Sequence, residues 1–292
     1  SLSHWLGRSC ARFDVIVVNW LENAMVAANG RLRPLGILEA LLRLAVWRIV
    51  SRKVILVRHN LWPHGTAPSA APVVRKLADG LERLASGSWV HSGHLCTRRR
   101  HYIPHPLYQS LDAAPPAVPA LEPGYFVIFG RILRYKRIEM LLAHLSPQVR
   151  LVILGVPDDE TYVQELRQRA SPNVTILASR LSDAAAARIV GDAQAPVVCH
   201  PDAGVIVSGS ALFALSLGVP VLALESGFTR WFQDNVNTRM LWSGRRVEDL
   251  AERMRSFVAE HGSSDVKQVQ AHHSDAAIRA RMAQSLREWG LL

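Results

Sequence analysis

Hydrophobic positions along the chain alternate between short continuous runs and longer stretches with helical spacing. The first runs are rich in valine and isoleucine and are bounded by polar residues, which is typical of buried strands; they lie at 13–20 and 53–58. Helical stretches lie at 35–51, opened by Pro34, and at 72–85, and shorter extended pieces lie at 89–91 and 101–106. This alternation predicts a parallel sheet with crossover helices. Phe13 and Trp20, at the ends of the first run, are expected in the core.

A proline-rich segment at 112–123 separates this pattern from a second one. Four prolines among small residues exclude a helix or a central strand, so the segment predicts an interdomain linker. Beyond it we expect five strands, at 125–129, 150–154, 173–177, 195–199 and 220–224, with helices between them. The sequence therefore predicts an α/β protein with two Rossmann-like, doubly wound domains facing a cleft, at 1–111 and 124–292. The first holds only three or four strands, so we expect it to be shortened, and the C-terminal helices at 247–260 and 275–289 are assigned to the second.

The composition is that of a packed globular protein, because hydrophobic residues make up 49% of the 292 residues. The three cysteines, Cys10, Cys96 and Cys199, are far apart and form no Cys-x-x-Cys pair. This argues against a disulfide framework or a structural zinc site and favours a reducing compartment. The first residues lack the apolar stretch of a signal peptide, and no run of about 20 apolar residues occurs. We therefore expect a cytoplasmic protein.

The formal net charge of +10 indicates anionic partners such as nucleoside diphosphates, anionic lipids or nucleic acid, or simply an arginine-rich solvated surface. Nucleic-acid binding and NAD-dependent oxidation are disfavoured, because no motif for the former occurs and no Gly-x-Gly-x-x-Gly follows a strand. Apolar residues recur all around the stretch Leu35–Val50, which predicts a mostly buried helix. The alternative is that Leu35–Arg52, with its arginines, is a peripheral contact to the anionic inner face of the membrane.

Ligands of doubly wound sheets bind beyond the carboxyl ends of the strands, so residues that follow a strand are the candidates. Gly130 follows a predicted strand and allows the backbone to approach a ligand closely. Arg131 and Lys136 supply a planar fork and a point charge that suit a diphosphate. Cations at a helix start oppose the helix dipole, which argues against two ordinary surface residues. We expect both side chains to be exposed and to stabilise a diphosphate leaving group without a metal.

A second anion site is predicted at Ser208, Gly209 and Ser210. These small residues follow the strand at 195–199 and begin a helix, where free N–H groups and hydroxyls bind anions. The alternative role for Ser208 is that of a plain helix N-cap.

The first domain offers candidates for the acceptor side. His59, Asn60 and His64 follow a strand, and such polar side chains suit the recognition of sugar hydroxyls; loop histidines without a role are the alternative. We assign Asn60 and His64 to acceptor binding and His59 to catalysis. Glu22 also follows a strand and is the best placed carboxylate for a general base. No carboxylate or cysteine accompanies the histidines, so no metal is expected.

These segments together resemble the donor domain of GT-B glycosyltransferases. The likeness rests on Phe129-Gly-Arg-Ile-Leu-Arg-Tyr-Lys136, on Ser208-Gly-Ser210 and on Ala214-Leu-Ser-Leu-Gly-Val-Pro-Val221. It is closest to bacterial enzymes that build exopolysaccharides, some of them mannosyltransferases. Those enzymes also resemble this chain in Trp20-Leu-Glu22 and in His59-Asn-x-x-Pro-His64.

The resemblance implies the GT-B fold and the transfer of a sugar, with mannose as one candidate, from a nucleoside diphosphate sugar. The acceptor would be a carbohydrate or a lipid-linked glycan in polysaccharide or glycoconjugate synthesis. No cofactor or metal is implied beyond the nucleotide-sugar itself.

Two features depart from the pattern of that family. The large retaining group carries a pair of glutamates, where this chain has Val205 and Phe213, so its usual carboxylate contact to the donor sugar is missing. Retention or inversion of configuration therefore does not follow from the resemblance. The strand and glycine-rich loop that usually precede a strand such as the one at Phe13 are not found either. A second class of function stays open, that of a non-catalytic sugar-nucleotide or glycan-binding subunit related to the transferases.

Overall fold

A computed structural model describes residues 13–63, 65–108, 120–200, 206–236 and 238–292, which form two α/β units. The first unit contains the described residues up to Pro104, residues 206–207 and Ile278–Leu292, and the second contains the remainder. Within these ranges, no helix has the length and apolar character needed to cross a membrane.

Four parallel strands form the sheet of the first unit, in the order β1-β2-β3-β4. They are β1 (Phe13–Asn19), β2 (Ser51–Arg58), β3 (Gly87–Val90) and β4 (Arg100–Tyr102), and α1 (Pro34–Val50) and α2 (Ala71–Leu84) precede β2 and β3. Val54 and Leu56 pack with the two helices, whereas Ile55 and Val57 belong to a separate core cluster. The two clusters lie on opposite faces of the sheet, because successive side chains of a strand alternate in direction.

Helix α1 contradicts the expectation of a mostly buried element. Only Gly36, Ala40 and Leu44 are buried, whereas Leu35 is 74% exposed and Ile49 is 70% exposed. Small residues face the protein because the helix passes close to the turn before it. A Cβ on Gly36 would lie 1.8 Å from the carbonyl oxygen of Ala24.

The second unit is a doubly wound parallel sheet of six strands. They are β5 (Tyr125–Phe129), β6 (Arg150–Leu154), β7 (Val174–Leu177), β8 (Val197–Val198), β9 (Val221–Leu224) and β10 (Leu241–Gly244). A bridge between Val127 and Pro196 joins two three-stranded groups, which gives the order β7-β6-β5-β8-β9-β10. The sequence predicted five strands; β10 was missed because Trp242-Ser243-Gly244 interrupts any apolar run.

The described helices of this unit are α3 (Ile138–Leu142), α4 (Glu160–Arg169), α5 (Asp183–Gly191), α6 (Gly209–Ser216), α7 (Gly227–Val236), α8 (Val247–Arg255) and α9 (Ser263–His272). Helix α10 (Asp275–Glu288) follows them in the chain. The long helix predicted between Gly130 and Leu145 is replaced by a 3-10 turn at Arg134–Lys136 and the short α3. Arg137 separates the two with a φ of 52°, a left-handed conformation that stops a helix.

The division of the chain differs from the predicted one at its C-terminus. From Ile278 onward α10 belongs to the first unit, where Met282, Leu286 and Trp289 pack with Trp89. This helix covers the face of the sheet that α1 and α2 leave open. Of the predicted linker at 112–123, the part up to residue 119 lies outside the described residues, and 120–123 belongs to the second unit.

Candidate functional site

The strongest site candidates lie at the point where the strand order of the second sheet reverses. Strands β5 and β8 are neighbours there, although β6 and β7 come between them in sequence. The turn at Gly130 follows β5, and the N-terminus of α6 follows β8. In doubly wound sheets this crevice is the usual ligand site.

Three of the residues predicted from the sequence converge on one carbonyl group of this crevice. Ser210 Oγ donates a hydrogen bond to the oxygen of Phe129 at 2.8 Å, and Lys136 Nζ donates to the same oxygen at 3.4 Å. Gly130 has a φ of 100°, and a Cβ there would lie 3.1 Å from Ser210 Oγ and 3.2 Å from Lys136 Nζ. Glycine is therefore required both for the backbone conformation and for the space between the two side chains.

The N-terminus of α6 supplies backbone donors to the same crevice. Gly209 and Ser210 are its first residues, so their N–H groups have no acceptor within the helix. Ser208 has the structural role considered for it, because its side chain caps the helix by accepting from the N–H of Ala211 at 3.3 Å. The helix end carries partial positive charge, which favours an anion.

Lys136 is buried, contrary to the expectation of an exposed side chain, and is only 7% accessible. Its position in the 3-10 turn directs the ammonium group back to the Phe129 carbonyl. The pKa of Lys136 is lowered from 10.5 to about 8, chiefly by burial. The neighbouring charge of Arg131 contributes to this lowering, and Cys199 opposes it. A buried ammonium group with few partners gains most from an incoming anion.

Arg131 is exposed as expected, but it has a partner that the sequence did not indicate. Its guanidinium group forms an ion pair with Asp158, and Nε lies 3.0 Å from Oδ1. Asp158 follows β6, the strand next to β5, which is the feature of the sequence that could have identified it. A diphosphate at Arg131 would compete with this carboxylate.

The large retaining GT-B group carries its second glutamate at the position where this protein has the apolar Phe213. Phe213 is 5% exposed, and its ring packs against Phe129 with centroids 4.6 Å apart and against Tyr108 at 5.5 Å. Val205, at the first glutamate position, lies outside the described residues, as does His64.

At the carboxyl edge of the first sheet, Trp20 and His59 form a stacked pair. Their ring centroids are 4.1 Å apart, and His59 Nε2 donates to Asn19 Oδ1 at 3.0 Å. Trp20 is 41% exposed and Phe13 is 55% exposed, so the expectation that both belong to the core is wrong. The centroids of the His91 and His59 rings are 4.9 Å apart, and imidazole nitrogens are common metal ligands.

Glu22 and Asn60, the other candidates of the first unit that the structure describes, are both buried. They are 4% and 3% exposed, and neither Glu22 Oε1 nor Asn60 Nδ2 has a hydrogen-bond partner among the described residues. Burial raises the pKa of Glu22, against the lowering effects of a backbone hydrogen bond and of Arg58. His59 is consequently the more accessible of the two candidates for catalysis.

A buried ionic cluster, which the sequence did not reveal, explains why this loop turns inward. Arg58 is 2% exposed and donates to the carbonyl of Leu61 at 2.7 Å and to Glu82 Oε2 at 2.6 Å. Glu82 also accepts from Arg100 Nε at 2.6 Å and from Ser88 Oγ at 2.6 Å. The cluster therefore fixes the loop that follows His59 to α2 and β4.

Comparison with known proteins agrees with this architecture. The family described as "Glycosyl transferases group 1" matches residues 123–260. No curated protein sequence matches the chain.

Solved structures resemble it over nearly its whole length. Sucrose-phosphate synthase from Thermosynechococcus elongatus has a TM-score of 0.68 at 18% identity, covering 98% of this chain and 76% of that one. Anabaena HepE in complex with UDP has a TM-score of 0.62 at 16% identity, with coverages of 98% and 82%. A UDP-forming trehalose-phosphate synthase from Burkholderia xenovorans has a TM-score of 0.61 at 11% identity, with coverages of 95% and 74%.

The protein thus has the GT-B fold, as the sequence motifs predicted. The segment that matches the family model, residues 123–260, contains Gly130, Lys136 and the N-terminus of α6.

Proposed function

We propose that this protein transfers a sugar from a nucleoside diphosphate sugar to a glycan acceptor, as a step in polysaccharide or glycoconjugate synthesis. The observation that carries the proposal is the convergence of Gly130, Lys136 and Ser210 at the point where the strand order reverses. A cation, a hydroxyl and helix N–H groups at one crevice fit a diphosphate.

In this mechanism the diphosphate leaves as the bond to the anomeric carbon breaks, and negative charge develops on its oxygens. Lys136 and the N–H groups of α6 stabilise that charge, and Arg131 contributes once a ligand displaces Asp158. His59 takes the proton of the acceptor hydroxyl. No metal or other cofactor is required, since these groups supply the positive charge that a metal would contribute. Activity lost with EDTA and restored by manganese or zinc would contradict this part of the proposal.

The donor site is tested by thermal shift with UDP, GDP and dTDP, followed by their sugar conjugates, GDP-mannose among them. A ligand that binds only the folded state raises the melting temperature. Lys136→Met should abolish the shift, whereas Lys267→Met, an exposed lysine on α9 of the same unit, should preserve it. A shift of equal size in both variants would place the nucleotide elsewhere.

A non-catalytic sugar-nucleotide-binding protein is the second candidate function. It is favoured by the burial of Glu22 and by the aromatic Phe213 where the family has a carboxylate. The two candidates differ in turnover of the donor that the screen identifies. Arg131→Ala and Lys136→Ala should each lower the rate by roughly 10²-fold in an enzyme. A wild-type protein that binds the donor but neither transfers nor hydrolyses its sugar supports the second candidate.

The outward face of α1 supports a further part of the proposal, a peripheral contact with the cytoplasmic face of the membrane. Leu35, Leu38, Leu42 and Ile49 follow helical spacing on one face and are 74%, 52%, 58% and 70% exposed. Apolar side chains in such a stripe are typical of helices that lie in a lipid interface.

Basic residues of α1 complement an anionic lipid surface. Glu39 forms ion pairs with both Arg33 and Arg43, at 3.6 and 2.5 Å, so one positive charge of the three residues is uncompensated. Arg48 donates to the Leu84 carbonyl and keeps its full charge. Each cation near an anionic leaflet contributes about 1 kcal/mol, which suits reversible attachment.

A further inference from the structure

The first unit contains a cavity with a basic lining, which shares no residue with the candidate sites described above. It has a volume of about 520 Å³ and lies between the segment that leads into β4 and the outer side of α10. Small-molecule sites commonly have volumes in the range of about 300–1,000 Å³. The lining includes Arg98, Arg100 and Arg281.

The positive charge of this cavity is only partly compensated. The charge of Arg100 is compensated within the buried ionic cluster, where Arg100 pairs with Glu82 and Asp79. Arg98 forms no ion pair with any residue of the described chain, and the side chain of Arg281 makes a single long hydrogen bond of 3.5 Å, to Gln284. Two guanidinium groups therefore remain available to an anion.

The carboxylate at the cavity, Glu288, does not neutralise these groups. Its Oε2 atom lies 3.6 Å from Nε2 of His101, so the carboxylate pairs with the imidazole rather than with an arginine. Cys96 and Tyr102 also line the cavity, and the positive charge of Arg281 lowers the pKa of both side chains against the larger effect of their burial. The guanidinium group of Arg281 therefore lies close to the cavity wall.

Two aromatic rings of the lining stack on each other, and hydrogen bonds fix one of them in place. The rings of His101 and Trp289 stack with centroids 4.3 Å apart and an inclination of 22°. His101 Nδ1 lies 2.8 Å from Oγ of Ser285, which is buried and also accepts from Trp89 Nε1 at 2.9 Å. A flat apolar edge next to two guanidinium groups suits a ligand with a ring and an anionic group.

We propose that this cavity binds a small phosphate ester of a sugar or similar ring compound. The phosphate would accept hydrogen bonds from Arg98 and Arg281, whose planar forks match phosphate oxygens. The ring would pack against Trp289. The cavity belongs to the first unit and shares no residue with the candidate donor site, so it is a separate binding site for which regulation by a phosphorylated metabolite is the natural use.

Isothermal titration calorimetry with ribose 5-phosphate, inorganic phosphate and ribose tests the proposal at constant ionic strength. Ribose 5-phosphate should bind more tightly than inorganic phosphate, and ribose should not bind. The double variant Arg98→Ala, Arg281→Ala should weaken ribose 5-phosphate binding by about tenfold or more, as expected for the loss of charge-assisted hydrogen bonds. Arg287→Ala, on the same helix but outside the cavity lining, should bind as the wild type does.

Lys136→Met distinguishes this cavity from the donor site, because it should leave ribose 5-phosphate binding unchanged. Loss of binding in Lys136→Met, or equal affinity in the double variant and the wild type, would overturn the proposal, as would no binding to the wild type. Arg98→Glu provides a second variant on an exposed loop position and should abolish binding without affecting the melting temperature.

Discussion

Trp20 stacks on His59 with the two rings inclined by only 9°, and it does so from a backbone conformation that tryptophan rarely adopts. Its φ of 60° makes it one of two non-glycine residues with positive φ in the described parts of the chain. Such a conformation costs about 1–3 kcal/mol and persists where the surrounding structure imposes it, often at functional sites. The unusual backbone conformation of Trp20 places its partly exposed indole beside His59, the more accessible candidate for the catalytic base.

We therefore expect Trp20→Ala to lower transfer to a glycan acceptor by about tenfold, because an indole packs well against the apolar face of a sugar ring. Binding of the nucleoside diphosphate that the donor screen identifies, measured by thermal shift, should be unchanged. Phe13→Ala is the control, since it removes an aromatic ring of comparable exposure from the other end of β1. Trp20→Gly should exceed Trp20→Ala in free energy of unfolding by about 1 kcal/mol, because glycine accepts the positive φ. Equal transfer by Trp20→Ala and wild type would remove Trp20 from the acceptor site.

The lowered pKa of Lys136 predicts how donor binding depends on pH. The diphosphate binds the protonated amine, and the free protein loses that proton as the pH rises through about 8. The dissociation constant for the nucleoside diphosphate that the donor screen identifies should therefore increase above this pH, by at most about tenfold per pH unit. Calorimetry in buffers of different ionisation enthalpy should detect proton uptake on binding. Lys136→Met should bind weakly with no such dependence; a flat profile in the wild type would refute the assignment.

Glu82 should be essential for the stability of the first unit. Its removal leaves the buried Arg58 with only the longer ion pair to the half-buried Asp79, at 3.3 Å. Breaking a buried ion pair costs about 3–5 kcal/mol, so Glu82→Ala should lose about that much in urea unfolding. Asp79→Ala should lose less, because Asp79 is 30% exposed. Burial alone raises the Glu82 pKa, but hydrogen bonds from Arg100 and Ser88 and nearby positive charge outweigh it, so the net pKa lies below 4.5. The stabilisation is therefore present above pH 4.5 and should be lost below it as Glu82 takes up a proton.

Flotation with liposomes tests the membrane contact of α1. The protein should float with phosphatidylcholine vesicles that contain phosphatidylglycerol at low salt, and high salt should weaken the binding. Leu38→Glu combined with Leu42→Glu should abolish flotation. Val73→Glu, at a 50% exposed apolar position of α2, should not. No flotation at low salt would reject the contact. A change from dimer to monomer in the double variant would instead identify the face as an interface between copies.

Most of the strands and the candidate donor-site residues that follow them could be predicted from the sequence because their determinants are local. Apolar runs predicted β5 and β6, and the residues after them included Gly130 and Lys136. The burial of Asn60 and Glu22 did not follow from the sequence for the opposite reason. Arg58 and Glu82, separated by 24 residues in sequence, form a buried ionic cluster next to them.

The sequence by itself determined the fold class, the domain motifs and the chemistry available at the carboxyl ends of the strands, because these depend on residue type and short-range spacing. Only the tertiary structure decided that Ser210 and Lys136 share the Phe129 carbonyl, that Lys136 is buried, and that α10 packs on the first sheet. The physical reason is that burial, and with it a pKa, depends on which distant segments pack together. A β-strand at the centre of a sheet acquires its neighbours from parts of the chain that no local pattern connects.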